Sequence, residues 1–300
     1  MTPAFPKALC RQLGLAKPAV SAAEAAFAQA RGQLEALLEN PRARFLPLCG
    51  RALRRDKAVG AAFTLAAALA VADTYTRAQY RKRGIPEAVY LASLGDIALW
   101  VRDAEWADGV LGLCNAPWIA HTLFLELFWL GRLQFEFFET DYRQARLPKS
   151  ARKIAPFPDG AKVLNVHIPA RGRLRLSEAE ASFSAAEAFF HTYFPEFAFA
   201  GFVCDSWLLD ERNRRFMRPD SNILQFFSAF DLVVPTRRKN RELLRRLWGK
   251  RRAGRRAIAA LSENTSLQRA AKAYLLAGGK SYNGYGFRRL QKNGESPLEP

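Results

Sequence analysis

The sequence predicts an α+β protein, with a helical first half followed by a mixed α/β second half. Three observations carry that prediction. Up to about residue 145, apolar residues recur at helical spacing, interrupted at Asn40-Pro41 and Gly84-Ile85-Pro86. From Val163 onward, short alternating runs interleave with capped helical segments. Between the two, residues 143–160 contain three prolines and several basic side chains, the composition of a linker. The expected domains are therefore residues 1–145 and 150–292.

In the first half, Ser21 followed by Glu24 reads as a capping box that opens an amphipathic helix running to about Leu38. The 15-residue run Ala58–Ala72, bounded by Lys57 and Asp73, is apolar throughout. A bilayer span takes about 20 residues, so the run reads as a buried helix and no membrane association is expected. Leu91, Leu94, Ile97 and Ala98 place a further helix over Glu87–Val101, and Pro117 starts an aromatic helix expected to end near Gly131. Leu133, Phe135 and Phe137 then alternate with Arg132, Gln134 and Glu136, the pattern of a half-buried strand.

In the second half, VLNVHIP is a strand. It puts Leu164, Val166 and Ile168 on one face and Val163, Asn165 and His167 on the other, and Pro169 ends its pairing. Ser177 with Glu180 reads as a second capping box, heading a helix with Phe183, Ala186, Phe190 and Tyr193 on one side. Strands follow at Phe199–Leu209, Asp231–Pro235 and Tyr282–Leu290, with a short helix capped by Ser221 and another over Thr265–Ala277.

Bulk composition narrows the function classes. The chain has 300 residues, 49% of them hydrophobic, which excludes global disorder. Its first ten residues lack an apolar signal core, and four scattered cysteines with no CxxC pair read as free thiols, so a cytoplasmic location is expected. The formal charge is +18, and eleven Lys/Arg against one Glu fall within residues 237–256. That run makes a polyanion or nucleic-acid binder one alternative, although Trp248 is its sole aromatic.

Several blocks, in order, carry a resemblance to a known family. They are WIAHTLFLELFWLGRLQF at Trp118–Phe135, HIP at His167–Pro169, the Ser182–Phe190 helix before Phe194-Pro195, and Cys204 to Asp210. SNI at Ser221–Ile223, Asn264–Ala270 and Gly278-Gly279 complete the set. The chain resembles bacterial acyltransferase-like proteins with a helical N-terminal domain and a C-terminal domain related to the GNAT (GCN5-related N-acetyltransferase) fold. The resemblance implies an acyltransferase that takes acetyl-CoA or another acyl-CoA as co-substrate. It also implies two neighbouring strands that splay to admit the pantetheine arm, and a following helix that offers its N-terminus to the pyrophosphate. Val163–Ile168, the Ser177 helix and Phe199–Leu209 take those roles in order. The usual pyrophosphate loop, Q/R-x-x-G-x-G/A, is replaced by Ala170-Arg171-Gly172-Arg173-Leu174-Arg175.

Under that resemblance, Ile168, Arg171, Gly172, Arg173 and Ser177 are the candidate cofactor contacts. Transfer to an amine needs a base for the ammonium proton and donors for the oxyanion and the leaving thiolate. His167 is the candidate base, Cys204 a candidate acyl-accepting nucleophile, and Ser206 shares a strand face with Cys204. Tyr282 and Tyr285 are candidate proton donors. Arg132 and Gln134 share a face and suit a substrate carboxylate or phosphate, or a hydrogen-bonded domain interface. The expected acceptor is a small molecule, with an amine favoured. A non-catalytic ligand-binding protein on the same fold is the other alternative.

Overall fold

The computed structural model describes residues 4–239, 242–250 and 252–290. They form two compact units, one running to Leu130 and including Pro169–Arg171, the other holding the remaining residues from Gly131 onward.

The first unit is helical, as its periodicity predicts. At its centre lies Lys57–Val71, whose N-cap Asp56 accepts a hydrogen bond from the Val59 amide at 2.9 Å. Eleven of its residues are buried, and Gly60 permits close approach by the neighbouring helix Pro41–Arg55. A Cβ at Gly60 would lie 2.6 Å from the Ala52 carbonyl. The helical rod continues to Lys82 and is long and apolar enough to cross a membrane by length and composition, but 72% of its most apolar window is buried in the protein.

Several helix boundaries differ from expectation: the helix expected to run to about Leu38 is broken at Ala30, and the one expected over Glu87–Val101 continues to Asp108. Ser21 lies inside the helix Lys17–Gln29, which starts after Ala16 with Pro18 in its first turn. The helix that Pro117 helps to start covers Ala116–Leu123, and Leu127–Leu130 is strand β1. Leu125 adopts φ of 60°, a left-handed conformation through which no helix continues.

The second unit is built on a mixed sheet of strands β2 (Leu133–Glu139), β3 (Lys162–His167), β4 (Gly201–Ser206), β5 (Leu232–Lys239) and β6 (Tyr282–Arg289). Their spatial order is β2-β3-β4-β6-β5. Only β3 and β4 pair in parallel, and they are joined by a crossover containing the helix Leu176–Tyr193. That helix covers one face of the sheet. Phe183 meets the rings of Phe135, Phe202 and Phe230, and Phe190 meets Phe137. The helix begins at Leu176 after an extended Arg175, so Ser177 sits in the first turn and makes no capping bond, contrary to expectation.

The opposite face is filled partly by the stretch expected to be a linker. Tyr142, Ala145, Leu147, Ala151 and Phe157 pack with Val163, Val203 and Phe287 in one apolar cluster. Here the prolines lie between the buried residues, Pro148 preceding the short helix Lys149–Ile154 and Pro156 and Pro158 flanking the buried Phe157. The basic region also contributes packing: in the helix Glu242–Trp248, Leu243 and Trp248 are buried with Ala271, and the indole donates to the Ser262 carbonyl at 2.8 Å. Trp248 is thus a core residue and not a stacking platform. Residues 240, 241 and 251 of the basic run, and 291–292 of the expected second domain, lie outside the described residues.

Candidate functional site

Strand pairing explains why a site forms at His167. β3 and β4 are in parallel register at Leu164–Phe202 and Asn165–Val203, preceded by a hydrogen bond from the Ala200 amide to the Lys162 carbonyl at 2.9 Å. Beyond Asn165 and Val203 that register stops, although both strands continue. Val166 and His167 go on pairing with β2, while Cys204, Asp205 and Ser206 go on pairing with β6. The two strands therefore splay at their C-terminal ends, immediately before Pro169. Inner edges of this kind expose backbone groups to an inserted chain.

Register also fixes which side chains meet. Antiparallel partners share a face, so Gln134, Glu136 and Phe138 of β2 lie on the face of His167, Asn165 and Val163. The Asn165–Val203 pairing puts Asp205 on that face, and the β4–β6 register adds Tyr285. His167 Nε2 lies 2.8 Å from Glu136 Oε2, and Asn165 Nδ2 donates to the same oxygen at 3.1 Å. Asn165 Nδ2 is also 3.1 Å from His167 Nε2. The pair is shielded from solvent, with side chains 23% exposed for His167 and 15% for Glu136. A carboxylate in this position orients the imidazole ring.

A cavity of about 220 Å³ opens on this face. Asn165, His167, Asp205 and Tyr285 line it from the strands, and Asp141 and Gln144 from the following loop. Asn283 Nδ2 donates to Asp205 Oδ1 at 2.5 Å and holds that carboxylate in place. The Tyr285 ring is 2% exposed, and burial pushes its phenol pKa well above the usual value.

Cys204 and Ser206 fall on the other face, away from His167. Cys204 is buried against the helix side of the sheet, and burial raises its thiol pKa far above the range in which a thiolate forms. Ser206 Oγ accepts from the Leu208 amide at 3.2 Å and caps the 3₁₀ turn Trp207–Leu209. The structure thus separates both residues from the histidine. Strand parity, which sequence alone cannot carry from one strand to the next, puts Asp205 in their place.

The candidate anion loop is braced from within. Arg132 Nε donates to the Arg173 carbonyl at 3.0 Å, its terminal nitrogen reaches the Gly172 carbonyl at 3.5 Å, and burial lowers its pKa. Its expected service as a substrate contact gives way to this bracing role. Gly172 takes φ of 64°. Arg175 pairs with Glu178 at 3.0 Å in the first turn of the helix that contains Ser177. Arg171 belongs to the first unit, where its guanidinium lies over Trp129, 5.7 Å from the ring centroid. Gln134 is buried opposite His167, and Ile168 is the last residue of β3's continuation before Pro169.

Tyr282 does not join the cavity. Its amide donates to Asp210 Oδ2 at 2.8 Å and its ring lies beneath Arg212. Sequence reasoning missed Glu136, Asp205 and Asn283. The available signal was a charged or amide side chain inside an otherwise apolar strand.

Comparison with known proteins places this architecture. Residues 4–124 match the family model described as an N-acyltransferase N-terminal domain, and residues 127–288 match that of a GNAT-like C-terminal domain. No curated protein matches. Among solved structures, an acyltransferase in complex with decanoyl-CoA and teicoplanin superposes with a TM-score of 0.75 at 24% identity, over 95% of this chain and 87% of that one. An acyltransferase in complex with CoA and 10C-teicoplanin gives a TM-score of 0.74 at 23% identity over the same shares. The splayed β3–β4 pair and its crossover helix lie within the second of the two matched regions. By these matches the chain belongs to the acyltransferase family that joins an N-acyltransferase N-terminal domain to a GNAT-like C-terminal domain.

Proposed function

We propose that this chain is an acyl-CoA-dependent acyltransferase whose acceptor is an amine. The observation that carries the reading is the splay of β3 from β4 beside the Glu136–His167 pair. Two relatives of the same fold were crystallised with decanoyl-CoA and with octanoyl-CoA, which supports an acyl-CoA as co-substrate.

Under this reading, backbone groups around Val166–Ile168 and Cys204–Ser206 hold the pantetheine arm. Gly172, Arg173 and the first turn of the helix that includes Ser177 hold the pyrophosphate, with Arg171 as a further cation next to them in sequence. A helix N-terminus contributes about 0.3–1 kcal/mol toward an anion, so the arginines supply much of the remaining attraction.

His167 removes a proton from the acceptor ammonium, and Glu136 stabilises the resulting imidazolium. The amine nitrogen forms a bond to the thioester carbonyl carbon, the carbon–sulfur bond breaks, and the thiolate leaves with a proton returned from the imidazolium or solvent. The products are an amide, free CoA thiol and one proton. The four free cysteines support a reducing, cytoplasmic setting.

Isothermal titration with CoA and decanoyl-CoA, followed by thiol-release kinetics with a panel of primary amines, tests the reading. Micromolar binding and amine-dependent thiol release are expected. His167→Ala should bind CoA normally and lose about 10²-fold or more in turnover, with Glu136→Gln intermediate. Absence of CoA binding below millimolar concentration overturns the reading.

A further inference from the structure

The cavity beside His167 differs in charge from the rest of the chain. The protein carries 46 Lys/Arg against 28 Asp/Glu, yet the described residues lining this cavity include two carboxylates, Asp141 and Asp205, and no Lys or Arg. Glu136 adds a third carboxylate one hydrogen bond from the cavity, through His167. Asp141 Oδ1 is engaged by the Arg143 and Gln144 amides, at 3.0 and 2.7 Å, which fixes the loop that forms one wall.

A second observation is independent of charge. The Tyr285 hydroxyl is buried and, among the described residues, has no hydrogen-bond partner, although the residue lines the cavity next to Asp205, its register partner across β4 and β6. A buried hydroxyl without a partner destabilises the fold, and a bound polar group would offset that loss. The raised pKa keeps this hydroxyl protonated and neutral.

We infer that this cavity is the acceptor pocket, and that it takes a primary ammonium group carried on a slim aliphatic arm, seated between the Asp205 carboxylate and the Tyr285 hydroxyl. The inference rests on the acyl-transfer reading and names the chemistry of its acceptor. An ammonium has three donors, enough to satisfy a carboxylate and a phenol oxygen while a third proton faces His167. The volume sets the shape of the substrate. Drug-sized ligands occupy pockets of roughly 300–1,000 Å³, and about 220 Å³ holds an aminoalkyl arm with the rest of its molecule outside. Phe138 and Ala145 supply apolar walls for the methylenes of that arm. The local negative charge attracts the ammonium form, and the histidine in the same cavity removes its proton.

The experiment uses n-butylamine as the probe and n-butanol as its neutral control, with decanoyl-CoA as donor and the full chain throughout. Wild type should show thiol release that saturates with n-butylamine and none with n-butanol. Asp205→Asn, which keeps the bond from Asn283, should raise the amine KM at least tenfold. Tyr285→Phe should raise it at least threefold. In both variants the CoA dissociation constant should stay near wild type, while the thermal midpoint should hold in Asp205→Asn and rise or hold in Tyr285→Phe, which removes the unpartnered hydroxyl. Unchanged amine KM in both variants, with CoA binding and turnover intact, overturns the pocket while leaving the acyltransferase reading in place.

If CoA does not bind at all, the acyltransferase reading falls and the pocket is judged by saturation-transfer NMR alone. Transfer to n-butylammonium that is lost in Asp205→Asn supports the pocket, and no transfer to the wild-type protein overturns it.

Discussion

Replacing Arg132 by Ala separates two roles for that residue. Among the contacts of its guanidinium are a well-formed bond from Nε to the Arg173 carbonyl at 3.0 Å and a longer contact to the Gly172 carbonyl at 3.5 Å. A hydrogen bond to a charged group is worth about 1.5–3 kcal/mol net, and the longer contact adds little. Removal should therefore cost about 2 kcal/mol of order in the loop that precedes the Leu176 helix. If the loop holds the CoA phosphates, the ligand must restore that order on binding, and 2 kcal/mol corresponds to roughly 30-fold in dissociation constant. The Arg132 amide bond to Ser182 Oγ, at 2.7 Å, is a backbone contact and survives the substitution. Arg132→Lys retains the charge but cannot make the same planar fork, so it should recover little of the loss. Isothermal titration with CoA measures the effect. A CoA dissociation constant within twofold of wild type, with a raised acceptor KM, would refute the bracing role and return Arg132 to direct contact with the acceptor.

Three further outcomes follow from burial and close packing. Gly284→Ala should destabilise the second unit by about 3 kcal/mol or more, because the added Cβ would meet the Leu209 carbonyl oxygen, which is backbone; a calorimetric midpoint within a degree of wild type would contradict this. Cys204→Ala should keep turnover within a few-fold of wild type, and iodoacetamide at pH 8 should modify the half-buried Cys114 first. Burial pushes the Cys10 thiol to about 11 and the Cys49 thiol to about 12, so both stay neutral and slow to react until pH approaches those values. Limited proteolysis should spare residues 143–160 despite their linker-like composition, since Tyr142, Leu147 and Phe157 are in the core; early cleavage there would contradict the packing.

What the sequence showed of this site, and what it hid, divides along one physical line. Alternation within a strand is local, so the apolar and polar faces of VLNVHIP were legible, and His167 and Asn165 share a face as expected. Register between strands is set by tertiary packing, so the partner of His167 was not legible. Gln134 and Glu136 were visible as the polar members of an alternating run, but only the antiparallel register brings Glu136 to the imidazole. The parallel register of β3 and β4 then selects Asp205 over its two neighbours, Cys204 and Ser206. A one-residue difference in parity moves every side chain of a strand to the other face. Tertiary packing also decides residues 143–160, where a linker-like composition carries apolar side chains such as Leu147 and Phe157 into the core.

The missing glycine loop has an explanation in the same geometry. A glycine-rich loop binds phosphate because its peptide N–H groups converge, and the residues must adopt backbone conformations that side chains oppose. Here one glycine, at φ of 64° with open space around its Cα, supplies the left-handed turn. Arg132 supplies the rest. It gathers the carbonyls of Gly172 and Arg173 on one side, and in trans peptides the N–H groups of Arg173 and Leu174 then point to the other. A half-buried arginine that holds the carbonyls does from behind what additional glycines do by conformational freedom. Under the proposed acyl-CoA reading, this loop receives the pyrophosphate with one glycine in place of two, and its competence depends on a residue about forty positions earlier in the chain.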